Sequence, residues 1–258
     1  MWRPSHRTAG VVTPGRSQSG AVGYLTGPHN GGMCGRYADF LTAQELTDTF
    51  ALGGTAPQPR LLAPSYNVAP THLVHVIHSH NGPRQLDVAR WGLVPSWARD
   101  ASSAARLINA RVETVDAKPS FSTAFAKRRC VVPASGYFEW STHAGTKAPY
   151  FIHRADATPL AFAGLLSAWR AREDDEWLIT CAIVTTAAHG PLADLHERAP
   201  VMLSDEAWHT WLDPDSSADD LFAAAASDAA DVTWHRVSDA VGQVRNNQPS
   251  LIEPVTLL

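Results

Sequence analysis

The stretch Arg129-Cys130-Val131-Val132-Pro133-Ala134-Ser135-Gly136-Tyr137-Phe138-Glu139-Trp140 reads as two strands, 129–132 and 136–140, set around Pro133. Its residues are mostly β-branched or aromatic, the types that fit a pleated surface, and proline and glycine punctuate them. The same pattern recurs on both sides. Residues 73–77 and 87–94 upstream, and 149–153, 160–169, 177–186 and 232–237 downstream, read as further strands. Helical signals are fewer. Thr42-Ala43-Gln44-Glu45 has the form of a capping box and opens a helix through about Phe50. Residues 120–127 fit one or two helical turns, Ser204 caps a helix through Trp211, and 218–226 fits another. The Gly/Pro-rich run 53–64 reads as a loop, and the Ala/Asp-rich run 213–231 as a solvated surface helix and loop. Strands come in runs, with few βαβ alternations. That predicts an α+β fold in a single domain, with a curved, mostly antiparallel sheet and flanking helices.

Composition narrows the class. With 45% hydrophobic residues and nine tryptophans, the chain has enough apolar side chain for a sizeable core. The net charge of −4 gives no bulk signal for nucleic acid, so any anionic partner must be met by a local patch. Of the three cysteines, Cys130 and Cys181 fall in apolar strands and read as buried small hydrophobes. No CxxC pair occurs, which argues against a disulfide framework or a zinc site and for a reduced, intracellular setting. No apolar run is long enough for a membrane span.

The third cysteine is different. In Met33-Cys34-Gly35-Arg36-Tyr37, removal of Met33 would leave Cys34 with a free α-amine beside its thiol. The amine has a reference pKa of about 8 and the thiol about 8.5, so both nucleophiles are partly available near neutrality. Both can attack one aldehyde carbon and close a thiazolidine ring. Residues 1–32 carry Arg3, Arg7 and Arg16, no Asp or Glu, and no continuous apolar run. The expectation is a start assigned too far upstream or a disordered leader that is removed; a retained tail and an organellar targeting segment are the alternatives.

Four islands lie between the strands: Tyr66-Asn67-Val68-Ala69-Pro70-Thr71, Trp91-Gly92-Leu93-Val94-Pro95-Ser96-Trp97-Ala98, Asn109-Ala110-Arg111-Val112-Glu113-Thr114, and the 129–140 stretch itself. A fifth, weaker one is His196-Glu197-Arg198-Ala199-Pro200. Glu139 sits among Tyr137, Phe138 and Trp140, a poorly solvated setting that raises a carboxyl pKa and suits an acid or base; an outward strand position is the plainer alternative. His196 is a natural proton carrier at pH 7, though one of 12 histidines. Asn109 can orient a substrate and Arg111 can clamp a phosphate, or they can be a turn Asn and a surface Arg. Trp91 and Trp97 can stack on bases or pack in a core.

Taken in order, these islands resemble the SOS response-associated peptidase (SRAP) family of abasic-site processing proteins. The resemblance covers about 33–203, with weaker matching to 254. It implies a barrel-like sheet and a protein that binds single-stranded DNA and links its N-terminal cysteine to the ring-opened aldehyde of an abasic site. By motif, Cys34 is then the nucleophile, and Asn109, Glu139 and His196 line the reacting centre. Arg36, Arg111 and Arg198 meet phosphates, and Trp91 and Trp97 shape or wedge the DNA. The family also carries a peptidase label, tied to trimming its own leader. No cofactor or metal is implied; the partner is single-stranded DNA containing abasic sites, and the setting a cytoplasmic, nucleoid-associated monomer. The chain departs from the pattern in its 32 residues before Met33 and in Ala199, where Met is more usual, a packing change expected to be minor. Two other readings use the same residues: an N-terminal cysteine amidohydrolase or autoprocessing peptidase, and a non-catalytic single-strand-binding module.

Overall fold

Twelve strands and four α-helices form the framework of the described residues in a computed structural model, which describes residues 35–52, 61–80, 82–143, 146–226 and 231–255. All of these lie in one compact unit. In chain order they are β1 (Tyr37–Asp39), α1 (Ala43–Phe50), β2 (Ser65–Val68), β3 (Leu73–His78), β4 (Gln85–Trp91), β5 (Asn109–Arg111), α2 (Ser122–Lys127), β6 (Arg129–Ala134), β7 (Gly136–His143), β8 (Thr146–Arg154), β9 (Leu160–Trp169), β10 (Leu178–Ala187), β11 (Arg198–Pro200), α3 (Asp205–Leu212), α4 (Ala218–Ala226) and β12 (Val232–Arg236).

One sheet runs β12-β8-β7-β1-β2. In the other, β10, β4, β3, β6 and β9 form a closed ring, because β9 also pairs with β10. The short β5 and β11 extend β10 at its far end. Pairing is antiparallel except where β10 meets β4 and β5. The expected α+β class and curved, mostly antiparallel, barrel-like sheet are therefore observed. Closing the ring leaves those strands without free edges, which is the usual gain from a barrel.

Local sequence explains several boundaries. Helix α1 begins as expected: the Thr42 N–H donates to Glu45 Oε2 (2.7 Å) and the Glu45 N–H to Thr42 Oγ1 (3.2 Å). Strand β4 stops at Trp91, short of the expected 94, because Gly92 takes φ +122° and an added Cβ would strike the Ala104 carbonyl. The 213–231 region also departs from expectation. Helix α4 buries Leu221, Ala224 and Ala225 against the core, so only its outer face is solvated; residues 227–230 lie outside those described.

Three apolar clusters fill the unit, the smallest around Phe138, Phe151 and Val241. One gathers Leu46 and Phe50 of α1, Phe125 of α2, and Trp208, Trp211 and Leu212 of α3 against the barrel. Another contains Tyr37, Trp91, Tyr137, Phe162, Ile183 and Leu195. Buried Arg129 ties the helices to β6: its guanidinium donates to the carbonyls of Phe125 (2.8 Å), Ala126 (2.9 Å), Trp211 (2.7 Å) and Asp213 (2.5 Å), which lie in or beside the last turns of α2 and α3. Among the described residues, no helix is long and apolar enough to cross a membrane.

Candidate functional site

Strand β1 starts directly after the Cys34 segment, and its pairing sets what stands beside that segment. Cys34 itself lies outside the described residues, which begin at Gly35. Tyr37 pairs with Val68 of β2 on one side and Tyr137 of β7 on the other. The Phe138 N–H donates to the Arg36 carbonyl (2.9 Å), and one further step of that register sets Gly35 across from Glu139. Because side chains alternate along a strand, Glu139 shares a face with Tyr137, while Phe138 packs with Phe151 on the other. Glu139 is a buried carboxyl, only 5% exposed. Gly136, which opens β7, is required by contact: a Cβ there would overlap the Phe151 ring and come 2.7 Å from the Ile152 carbonyl.

Asn109 opens β5, beside the barrel strand β10. Strand β5 pairs parallel with β10, Asn109 with Ile183 and Arg111 with Thr185. The preceding residue is fastened on both sides: the Ile108 carbonyl accepts from the Ile183 N–H (3.0 Å) and from Trp91 Nε1 (2.9 Å). Trp91 in turn packs edge-on against Tyr37, ring centres 5.4 Å apart. His196 lies in the β10–β11 connection directly after Leu195, which is buried in the same core as Tyr37, Trp91, Tyr137 and Ile183. Asn109, Glu139 and His196 each follow, within two residues, a residue that belongs to or packs against one apolar cluster: Ile108, Tyr137 and Leu195.

The His196 ring is held by its own turn. Its Nδ1 lies 3.1 Å from the Arg198 N–H, which donates to it in the Nε2–H tautomer. The Arg198 carbonyl lies equally close to Nδ1 (3.1 Å), ready to accept when the ring is charged. Both protonation states have a partner, as a proton carrier requires.

The expected DNA contacts divide. Trp91 is wholly buried, so its expected role against DNA is corrected: it props β1 against β5. Trp97, six residues on, is 65% exposed. Arg111 is exposed. Arg36 and Arg198 point into the protein. Arg36 donates to Asn67 Oδ1 (2.8 Å) and the Val241 carbonyl (2.7 Å), on the face of β1 opposite Tyr37. Asn67 continues that network through Nδ2 to the carbonyls of Val241 (3.2 Å), Gln243 (3.0 Å) and Asn246 (2.8 Å). Arg198 makes a two-pronged ion pair with Glu113. Guanidinium chemistry suits carbonyls and carboxylates as well as phosphates, and these partners are set by the fold. Ala199 is buried on β11.

The sequence reading missed a basic surface beside Trp97. Arg99 and Arg106 line with it a cleft of about 330 Å³ that also includes Pro95, Ser103 and Ser120. Arg128 lines the adjoining crevice with Trp97 and Ser120. Arg99 and Arg106 fall in the gap between two motif islands; their charge beside an aromatic residue was the available signal.

Comparisons with known proteins identify the family. The family model described as SOS response associated peptidase (SRAP) matches residues 33–244. The abasic site processing protein YoqW of Bacillus subtilis is 36% identical over 224 residues, 86% of this chain and 99% of its own length. The abasic site processing protein YedK of Escherichia coli is 35% identical over 229 residues, 86% of this chain and all of its own. The crystal structure of a phage-related protein of Bordetella bronchiseptica superposes with a TM-score of 0.63 at 30% identity, covering 80% of this chain and 95% of that one. A Bacteroides thetaiotaomicron protein gives a TM-score of 0.75 at 24% identity, covering 86% and 100%, a likeness of fold. The chain belongs to the SOS response associated peptidase family.

Proposed function

We propose that this protein processes abasic sites in single-stranded DNA by linking them covalently to Cys34. Supporting this reading are relatives named for abasic site processing and the sequence neighbours of Asn109, Glu139 and His196, which all belong to or pack against the apolar cluster that holds Tyr37 of the strand after Cys34. The Cys34 amine attacks the aldehyde of the ring-opened sugar, and water leaves to give an imine. Glu139 donates the proton that the departing hydroxyl needs. The Cys34 thiol adds to the imine carbon, its proton passes to the nitrogen, and the thiazolidine closes. His196 moves protons at the sugar O4′ and during closure; Asn109 orients the sugar. An imine left open permits β-elimination and strand cleavage, so closure shields the lesion.

This chemistry needs a free amine on Cys34, so the working form of the protein begins there, residues 1–32 and Met33 having been removed or never made. The family match starting at residue 33 supports that boundary. Removal by the protein itself would match the peptidase in the family's name. Strand contact belongs to Arg111 and Trp97, joined by Arg99, Arg106 and Arg128; Arg36 and Arg198 hold the scaffold. The protein acts without a cofactor, as a monomer in the cytoplasm.

The test is to incubate protein beginning at Cys34 with abasic and intact single strands, denature, and resolve the products on a gel. A shifted band is expected with the abasic strand alone. It should vanish in Cys34→Ala and form on the order of 10²-fold or more slowly in Glu139→Gln. Hydrolysis of a peptide or amide with no shifted band would instead favour an amidohydrolase. Binding of both strands with no shifted band would leave a binding module.

A further inference from the structure

Glu113 and Arg198 form the best-defined ion pair near the site, and their geometry exceeds what stability alone explains. Both terminal nitrogens of Arg198 are used: one donates to Glu113 Oε1, the other to Oε2 (3.0 Å). The second also donates to the Thr185 carbonyl (2.8 Å). The Arg198 side chain is 12% exposed and that of Glu113 47%. Hydrogen bonding to Arg198 holds the Glu113 carboxyl below its usual pKa, so the pair is charged throughout the neutral range. An ion pair this open contributes at most about 1 kcal/mol to folding. Its connections are more telling. Glu113 lies four residues after Asn109, beyond β5; Thr185 stands on β10 between Arg111 and Pro200. The main-chain N–H of Arg198 is the group that fixes the His196 ring. One guanidinium therefore joins the Asn109 strand, the β10 strand and the His196 turn.

We infer that Glu113 is a positioning residue, which acts through Arg198 to hold the His196 ring in one orientation and in fixed register with Asn109. This rests on the reading of His196 as the proton carrier of the crosslinking reaction. Without the carboxylate, the Arg198 side chain keeps only its Thr185 contacts, and the 196–198 turn, still paired to β10 through Ala187 and Ala188, loses its side-chain anchor to residue 113. A displacement of about 1 Å at a reacting group commonly costs on the order of 10²-fold in rate.

The experiment compares the parent, Glu113→Gln and Arg198→Lys, each beginning at Cys34. Gln keeps the shape of Glu, and Lys keeps the charge of Arg without its fork. Three quantities are read: the crosslinking rate at saturating abasic strand, affinity for a strand bearing a non-reactive tetrahydrofuran site, and the ¹⁵N shifts of the His196 ring without DNA. Both variants should slow crosslinking roughly ten- to a hundredfold, with affinity within about twofold of the parent. The parent ring should give one sharp set of shifts; in the variants the ring shifts should move or broaden. Parent-like rates and parent-like shifts in Glu113→Gln would overturn the inference. So would tighter DNA binding at unchanged rate and shifts, which would make Glu113 a counter-ion that restrains Arg198. If the parent itself forms no crosslink, the functional reading fails, and the ring shifts still decide whether Glu113 positions His196.

Discussion

Thiol chemistry separates the three cysteines at the scale of single residues. Cys130 and Cys181 are wholly buried, and burial raises both thiols above their usual pKa, Cys130 also through its closeness to Cys181. A raised pKa keeps them protonated at neutral pH, and a protonated thiol is a poor nucleophile. A maleimide at pH 7.5 should therefore label native protein beginning at Cys34 once, at Cys34, and all three cysteines after denaturation; peptide mapping by mass spectrometry checks it. Rapid native labelling of Cys181 would break the assignment of Cys34 as the reactive thiol. The burial of Cys130 and Cys181 was legible in the sequence because each sits in an apolar run. The fates of Trp91 and Trp97 were not. They share one motif, yet one is wholly buried and the other 65% exposed, and that difference is fixed by Tyr37 and Ile108, distant in the chain. Arg36 and Arg198 teach the same lesson, since a guanidinium does not reveal whether its acceptor is a phosphate or the protein itself.

At the scale of elements, legibility follows the range of the interactions. Helix α1 was readable because Thr42 and Glu45 cap it locally, and α4 because its pattern is local too. Strands β1, β2, β5 and β11 are three or four residues long and exist through their partners, so no local pattern announces them. Glu139 and His196 were legible as residue types, but their nearness to one cluster depends on β1 entering between β2 and β7. The helices depend on a feature of the same long-range kind. Arg129 supplies donors to four carbonyls in or beside the last turns of α2 and α3, groups that no helix satisfies internally. Removing it leaves several buried acceptors bare. Arg129→Ala should cost about 3 kcal/mol of folding stability, read as a lower denaturation midpoint in urea. Arg129→Lys should recover only part, since one ammonium cannot span both helix ends. An unchanged midpoint in Arg129→Ala would show that water replaces the guanidinium there.

At the scale of the whole molecule, the described residues form a barrel and a second sheet, in which β1, the first strand after Cys34, pairs with β7, the strand of Glu139. The net charge of −4 does not favour DNA, so in the proposed function the Trp97, Arg99, Arg106 and Arg128 surface and exposed Arg111 must supply the attraction locally. Everything proposed for the reaction turns on the amine and thiol of Cys34 both bonding to one carbon of the abasic sugar. The decisive quantity is the intact mass of the purified adduct, measured with and without prior borohydride. Closing a thiazolidine from an amine, a thiol and an aldehyde releases one water and leaves no imine. The expected adduct weighs the protein beginning at Cys34 plus the abasic strand, less one water, and it forms without borohydride and is unchanged by it. An adduct that survives denaturation only after borohydride reduction, or that forms equally with Cys34→Ala, would contradict the double bonding.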